Sequence, residues 1–100
     1  FEKTLRRLNR LGTVPAVVLM PLHPTLLDAV RDAGWETRHR QVLHYLHGLQ
    51  KTYDLVVLDH SRLESVGGDP DAYYDGFHVT RENARRILDV VLQEAPECLE

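Results

Sequence analysis

Cysteine occurs once, at Cys98, so the chain of 100 residues has no means of forming an internal disulfide or a multi-cysteine zinc site, and its redox compartment stays open. Excess positive charge is also missing. Twelve Lys and Arg against 15 Asp and Glu give a formal net charge of −3, without the basic field that holds a phosphate backbone, so no nucleic-acid partner is expected. The longest apolar run, from Val14 to Leu22, is broken by Pro15 and Pro21. It falls far short of the roughly 20 residues that a transmembrane helix requires. No glycine-rich phosphate loop is present, and no acidic cluster stands at a strand end beyond Asp59, which weighs against a phosphate-binding or receiver-like protein. The remaining composition, 43% hydrophobic and 27% charged, is that of an ordinary globular chain with room for one domain.

Hydrophobic spacing supplies the organisation. Phe1, Leu5 and Leu8 are spaced four and three apart with Lys3, Arg7 and Arg10 on the other face, which predicts an amphipathic helix over 1–11 stopped by Gly12. Val14 to Met20 reads as a short buried strand. Pro24 suits the first turn of a helix over 24–33 that Gly34 closes, and Val42, Leu46, Leu49 and Tyr53 mark the inward stripe of another helix from Glu36 to Tyr53. Asp54 to Asp59 reads as a second buried strand, followed by a loop through Gly67, Gly68 and Pro70 to Tyr73. Thr80 is the expected N-cap of a last helix with Ala84, Ile87, Leu88, Val91 and Ala95 on its apolar face and Pro96 at its end.

The resulting order of helix, strand, helix, helix, strand, loop, helix is an α/β pattern with parallel strands joined by a helical crossover. Two strands alone leave both sheet edges open, and parallel sheets are normally larger and covered on both faces. Further strands are therefore expected from a preceding part of the polypeptide or from a second subunit. The opening at Phe1, inside a helical pattern and without a signal segment, agrees with a piece of something longer.

In open α/β sheets ligands bind beyond the carboxyl ends of the strands. Pro21-Leu22-His23-Pro24, His60-Ser61 and Tyr73-Tyr74-Asp75-Gly76-Phe77-His78 fall there, with three of the six histidines. Asp75 and His78 are three apart, with Gly76 between them to permit a turn. A carboxylate on one imidazole nitrogen fixes the tautomer and frees the other nitrogen to take a proton from a hydroxyl nucleophile. The same spacing also suits an Asx turn in which Asp75 bonds local backbone and His78 merely precedes the helix.

Tyr73-Tyr74-Asp75-Gly76-Phe77-His78-Val79-Thr80, followed by Asn83-Ala84-Arg85-Arg86-Ile87-Leu88, resembles the last block of the SGNH (GDSL-type) hydrolases. In that family a D-x-x-H motif immediately before the C-terminal helix supplies the triad Asp and His. The resemblance implies the C-terminal portion of a flavodoxin-like αβα sandwich, with Asp75 orienting His78 and His78 acting as general base toward a serine. The motif covers about eight residues, although the order of elements agrees over roughly residues 1–95. The family's G-D-S block, oxyanion-hole glycine and G-x-N-D asparagine have no counterpart here. Ser61 and Ser65 are the only serines, and neither lies in a G-D-S or G-x-S-x-G setting.

The resemblance thus implies a serine esterase or acyltransferase acting on O-acyl esters such as those of sugars or lipids, without cofactor or metal. Its nucleophile would come from elsewhere. The alternative is a noncatalytic flavodoxin-like binding or assembly domain. His23 and Tyr74 are candidate substrate contacts beside the pair, with loop anchoring as the competing role. His60 follows Asp59 on an extended strand, where neighbours point to opposite faces, so these two make a poor dyad. His44 and His47, beside Arg40 and Lys51, read as a solvated face. Trp35, Tyr45 and Tyr53 read as packing residues, and Cys98 as inert.

Overall fold

The structure is a computed structural model that describes residues 1–99. Helix α1 (Glu2–Arg10) leads to strand β1 (Ala16–Leu19); α2 (Pro24–Val30) and α3 (Glu36–Leu49) form the crossover to β2 (Val56–Asp59), and α4 (Arg81–Glu94) follows a long connection. The strands pair in parallel, with Ala16 opposite Val56 and Leu19 opposite Asp59, and an isolated bridge between Leu22 and Arg62 prolongs the ladder. The chain is therefore an α/β protein with a two-stranded parallel sheet.

Side-chain alternation along the strands sends residues to two clusters. Val17, Leu19 and Val57 pack with Leu5, Leu46, Leu49 and Leu55 beneath α1 and α3. Val18 packs with Leu63, Val66 and Ile87 on the α4 side. Asn9 ties the first cluster's elements together: its Nδ2 donates to the Asp54 carbonyl at 2.9 Å, and its Oδ1 accepts the Asp54 N–H at 2.8 Å.

Those two bonds also explain why β2 begins at Val56 and not at Asp54, since the backbone groups of Asp54 are already engaged. At β1, the expected Val14 to Met20 contracts to Ala16–Leu19; Pro15 has no N–H to donate, although its carbonyl accepts the Val56 N–H at 2.9 Å. Neither strand is buried as expected. Ala16 to Leu19 and Val56 to Leu58 are all half-buried, because each strand has a single neighbour and an open outer edge.

The helices are corrected in a similar way. The one expected over 24–33 ends at Val30, and a wide turn over Arg31–Trp35 reverses through Gly34 at φ 90° before α3 starts. Helix α3 stops at Leu49, where tighter bonds from Lys51 N–H to the Gly48 carbonyl and from Thr52 N–H to the Leu49 carbonyl take over. Leu46 and Leu49 are buried, whereas Val42 lines an open cavity at the end of β1 and Tyr45, read as a packing residue, lies exposed.

On α4 the buried face is turned from the expected one. Asn83 and Ile87 are buried, with Val90 and Val91 half-buried, whereas Ala84, Leu88 and Leu92 lie exposed. Apolar residues occupy more than one face of this helix, and the face turned inward carries Ile87 against Leu63 and Val66 together with the hydrogen-bonded Asn83. Thr80 does stand at the N-cap, but its side chain makes no capping bond.

Candidate active site

The loop before α4 is a small hairpin. Thr80 N–H donates to the Ala72 carbonyl at 3.0 Å, Tyr73 and Val79 form an antiparallel bridge, and Tyr74 N–H donates to the His78 carbonyl at 2.8 Å. Asp75, Gly76 and Phe77 make its tip. Both bonding arrangements considered for Asp75 are present together. Its Oδ1 accepts the N–H groups of Phe77 at 2.8 Å and His78 at 2.7 Å, which is an Asx turn, while Oδ2 lies 2.5 Å from His78 Nδ1.

One carboxylate oxygen thus fixes the backbone and the other holds the imidazole. The bond with the His78 side chain, followed by those from the Phe77 and His78 N–H groups, holds the Asp75 carboxyl down at about 2. With Nδ1 facing the carboxylate, His78 Nε2 is the nitrogen left for a reacting group, the division of labour that a triad needs. The His78 side chain is 62% exposed, so this nitrogen is open to an incoming partner.

His23 joins the site through the turn after β1. Its N–H donates to the Gly76 carbonyl at 2.9 Å, its ring meets Tyr73 edge-on at 5.2 Å between centroids, and Tyr73 Oη donates to the Pro21 carbonyl at 3.1 Å. Burial pushes the Tyr73 phenol up, keeping it a neutral donor. His23 Nδ1 accepts the Thr25 N–H at 3.0 Å and so caps α2. That bond assigns the proton of the neutral ring to Nε2. His23 therefore anchors the loop through Nδ1 and its backbone N–H. Tyr74 N–H donates to the His78 carbonyl, and its side chain is 79% exposed.

Three groupings have no signature in the sequence pattern. Asn83, wholly buried, binds the base of the hairpin. Asp59 meets His39 and Ser61: His39 Nε2 lies 2.9 Å from Asp59 Oδ2, and Ser61 Oγ donates to Asp59 Oδ1 at 2.5 Å. Partial burial works to raise the Asp59 carboxyl, but bonds from the Ser61 hydroxyl and N–H, then from His39, outweigh it and hold the group below its ordinary value. This Ser, His and Asp do not form a triad, because His39 spends Nε2 on the carboxylate and so offers no lone pair to Ser61.

His60, buried as a strand-end residue, places Nδ1 2.8 Å from Ser65 Oγ and Nε2 2.9 Å from Glu94 Oε1. The contact with Glu94 lacks the alignment of a hydrogen bond, leaving Nε2 without an aligned partner. Ser65 Oγ donates to the Arg62 carbonyl at 2.7 Å, so its proton is not directed at His60. Long-range contacts such as His39 with Asp59 leave no local signal; the position of Asp59 at a strand's carboxyl end is the one clue to them.

His44 and His47 are exposed on α3, and His47 pairs with Gln50 at 3.0 Å. Trp35 stacks on His39 with centroids 4.6 Å apart, and Tyr53 packs against the first cluster. Burial and then the Glu97 charge push the Cys98 thiol up, away from the thiolate form. A cavity of about 240 Å³ opens between the end of β1 and α3, lined by Leu22, Trp35, His39 and Ser61 among others, and does not include the Asp75 and His78 side chains. Among the described residues no group of three or more His, Cys, Asp or Glu side chains is placed to hold a metal, and no helix is long and apolar enough to cross a membrane. Compared with known proteins, the chain matches no family model, no curated protein and no solved structure.

Proposed function

We propose that the chain supplies the acid–base half of a serine esterase or acyltransferase of the SGNH type, acting on O-acyl esters. The observation that carries this reading is the contact of Asp75 Oδ2 with His78 Nδ1 at 2.5 Å, with Nε2 left open. A serine provided by another segment or subunit would attack the acyl carbonyl while His78 Nε2 takes its proton, and Asp75 would hold the ring and stabilise the imidazolium. Return of that proton to the leaving alcohol completes acyl transfer to the serine. Water or a second alcohol then attacks with His78 again as base. His23 Nε2–H, on the neighbouring turn, is a donor for the substrate.

Two features support a nucleophile from elsewhere. Ser61 Oγ is committed to Asp59 and Ser65 Oγ to the Arg62 carbonyl. The half-buried strands and the exposed Met20, Leu88 and Leu92 fit a larger flavodoxin-like αβα sandwich of which this chain is the C-terminal portion. The test is fluorophosphonate labelling followed by mass spectrometry. With this chain alone, neither Ser61 nor Ser65 is expected to be labelled; with the completing segment or subunit present, one serine outside this chain is labelled, and His78→Ala suppresses it. Nitrophenyl ester hydrolysis by this chain alone that His78→Ala abolishes would show that the nucleophile lies within it. If no upstream or partner G-D-S block exists, the noncatalytic assembly role takes its place.

A further inference from the structure

We infer that Asn83 is a positioning residue for the Asp75 and His78 pair, clamping the hairpin that carries both side chains onto the first turn of α4. This inference rests on the functional reading of that pair. Asn83 has 0% exposure, and a polar side chain in such a place is costly unless every group finds a partner. It meets that condition. Oδ1 accepts the Asp69 N–H at 2.8 Å and Arg86 Nη1 at 3.2 Å; Nδ2 donates to the carbonyls of Asp69 at 2.8 Å and Ala72 at 3.0 Å.

The Ala72 carbonyl also accepts the Thr80 N–H, so one oxygen gathers both ends of the hairpin and the helix. Between those ends, Asp75 must keep one oxygen on two backbone N–H groups and the other on the imidazole. That geometry survives only if the ends do not slide. Asparagine is a poor helix former, and an apolar residue here would leave the Asp69 N–H without this acceptor. Gly68 lies against the same clamp: a Cβ there would press on the Leu63 side chain and lie 3.3 Å from Asn83 Oδ1, so a larger residue requires Leu63 to shift.

A purely global stabilising role would loosen the whole molecule evenly, whereas a positioning role is local. The experiment is NMR on the full chain, following the Asp75 carboxyl carbon through acid titration and the amide exchange of Phe77, His78, Leu46 and Leu49. In the unsubstituted chain Asp75 is expected to titrate near 2. In Asn83→Ala its midpoint is expected to rise toward the ordinary aspartate value of about 3.9, and the Phe77 and His78 amides to exchange about tenfold faster while Leu46 and Leu49 keep their rates.

Asn83→Asp keeps the Oδ1 acceptor and loses both Nδ2 donations, to the Asp69 and Ala72 carbonyls; it provides the same comparison of exchange rates if Asn83→Ala does not fold, with acceleration at Phe77 and His78 alone expected. Unchanged exchange at the hairpin, or equal acceleration at all four amides, overturns the inference. An Asp75 that titrates at its ordinary value in the parent chain overturns the reading of the pair instead, so the two failures are distinguishable.

Discussion

The N–H of His23 donates to the carbonyl of Gly76 at 2.9 Å, joining the turn after β1 to the tip of the hairpin that bears Asp75 and His78. Packing reinforces the joint. A Cβ on Gly76 would lie 2.7 Å from Leu26 Cδ2 and 3.3 Å from Leu26 Cβ. Gly76→Ala is expected to destabilise by about 1–3 kcal/mol, the usual cost of overpacking. Leu26→Ala should restore part of that loss. A double-mutant cycle in urea measures the coupling, and additive effects would show that the two sites do not press on one another.

The depressed Asp75 carboxyl fixes the direction of a pH response. A carboxyl whose folded value lies below its unfolded one stabilises the fold above the unfolded value and loses that contribution as pH falls through the folded one. For Asp75 the window runs from about 4 down to about 2. Exchange at the Phe77 and His78 amides should accelerate across it, and Asp75→Asn should remove the acid step. A Phe77 and His78 response centred near neutrality would contradict the assignment.

Asp59 acts at a separate place. Asp59→Ala leaves the hydroxyl of the buried Ser61 without its carboxylate and His39 without its acceptor. A loss of about 1–3 kcal/mol is expected in chemical denaturation, with the Asp75 titration unchanged. A shift in the Asp75 titration would show that the two carboxylates belong to one coupled system.

The sheet edge carries its own expectation. Pro15 and Leu19 turn their carbonyls to β2, accepting from Val56 and His60, so the alternate residues Ala16 and Val18 turn their backbone groups outward. An unprotected edge of this kind pairs with another strand. Sedimentation should show concentration-dependent association of this chain alone. A monomer with one cooperative melt at every concentration would mean that no partner strand is required.

How much is legible in the sequence follows from distance along the chain. Asp75 and His78 are three apart with a turn residue between them, a spacing that suits a side-chain pair and an Asx turn alike, and only the resemblance of the surrounding block to the SGNH hydrolases singles them out. The α/β order is equally legible, because Gly12, Gly34 and Pro24 punctuate it. His39 and Asp59 are twenty residues apart, and no local pattern links a helix face to a strand end. The inward face of α4 is ambiguous in the sequence because apolar residues lie on more than one side of it. The inward side carries Ile87, Val90 and Val91 and also Asn83, whose three hydrogen bonds to Asp69 and Ala72 are invisible in a hydrophobic pattern.

If Asp75 and His78 are the acid–base half of a serine-dependent acyl-transfer site, ester hydrolysis by the assembly that includes the serine depends on both. Its kcat/KM for a nitrophenyl acyl ester should fall by roughly 10³-fold or more in His78→Ala, and steeply in Asp75→Asn, with the fold intact by NMR. An assembly that hydrolyses the ester equally well with and without His78 would contradict the account.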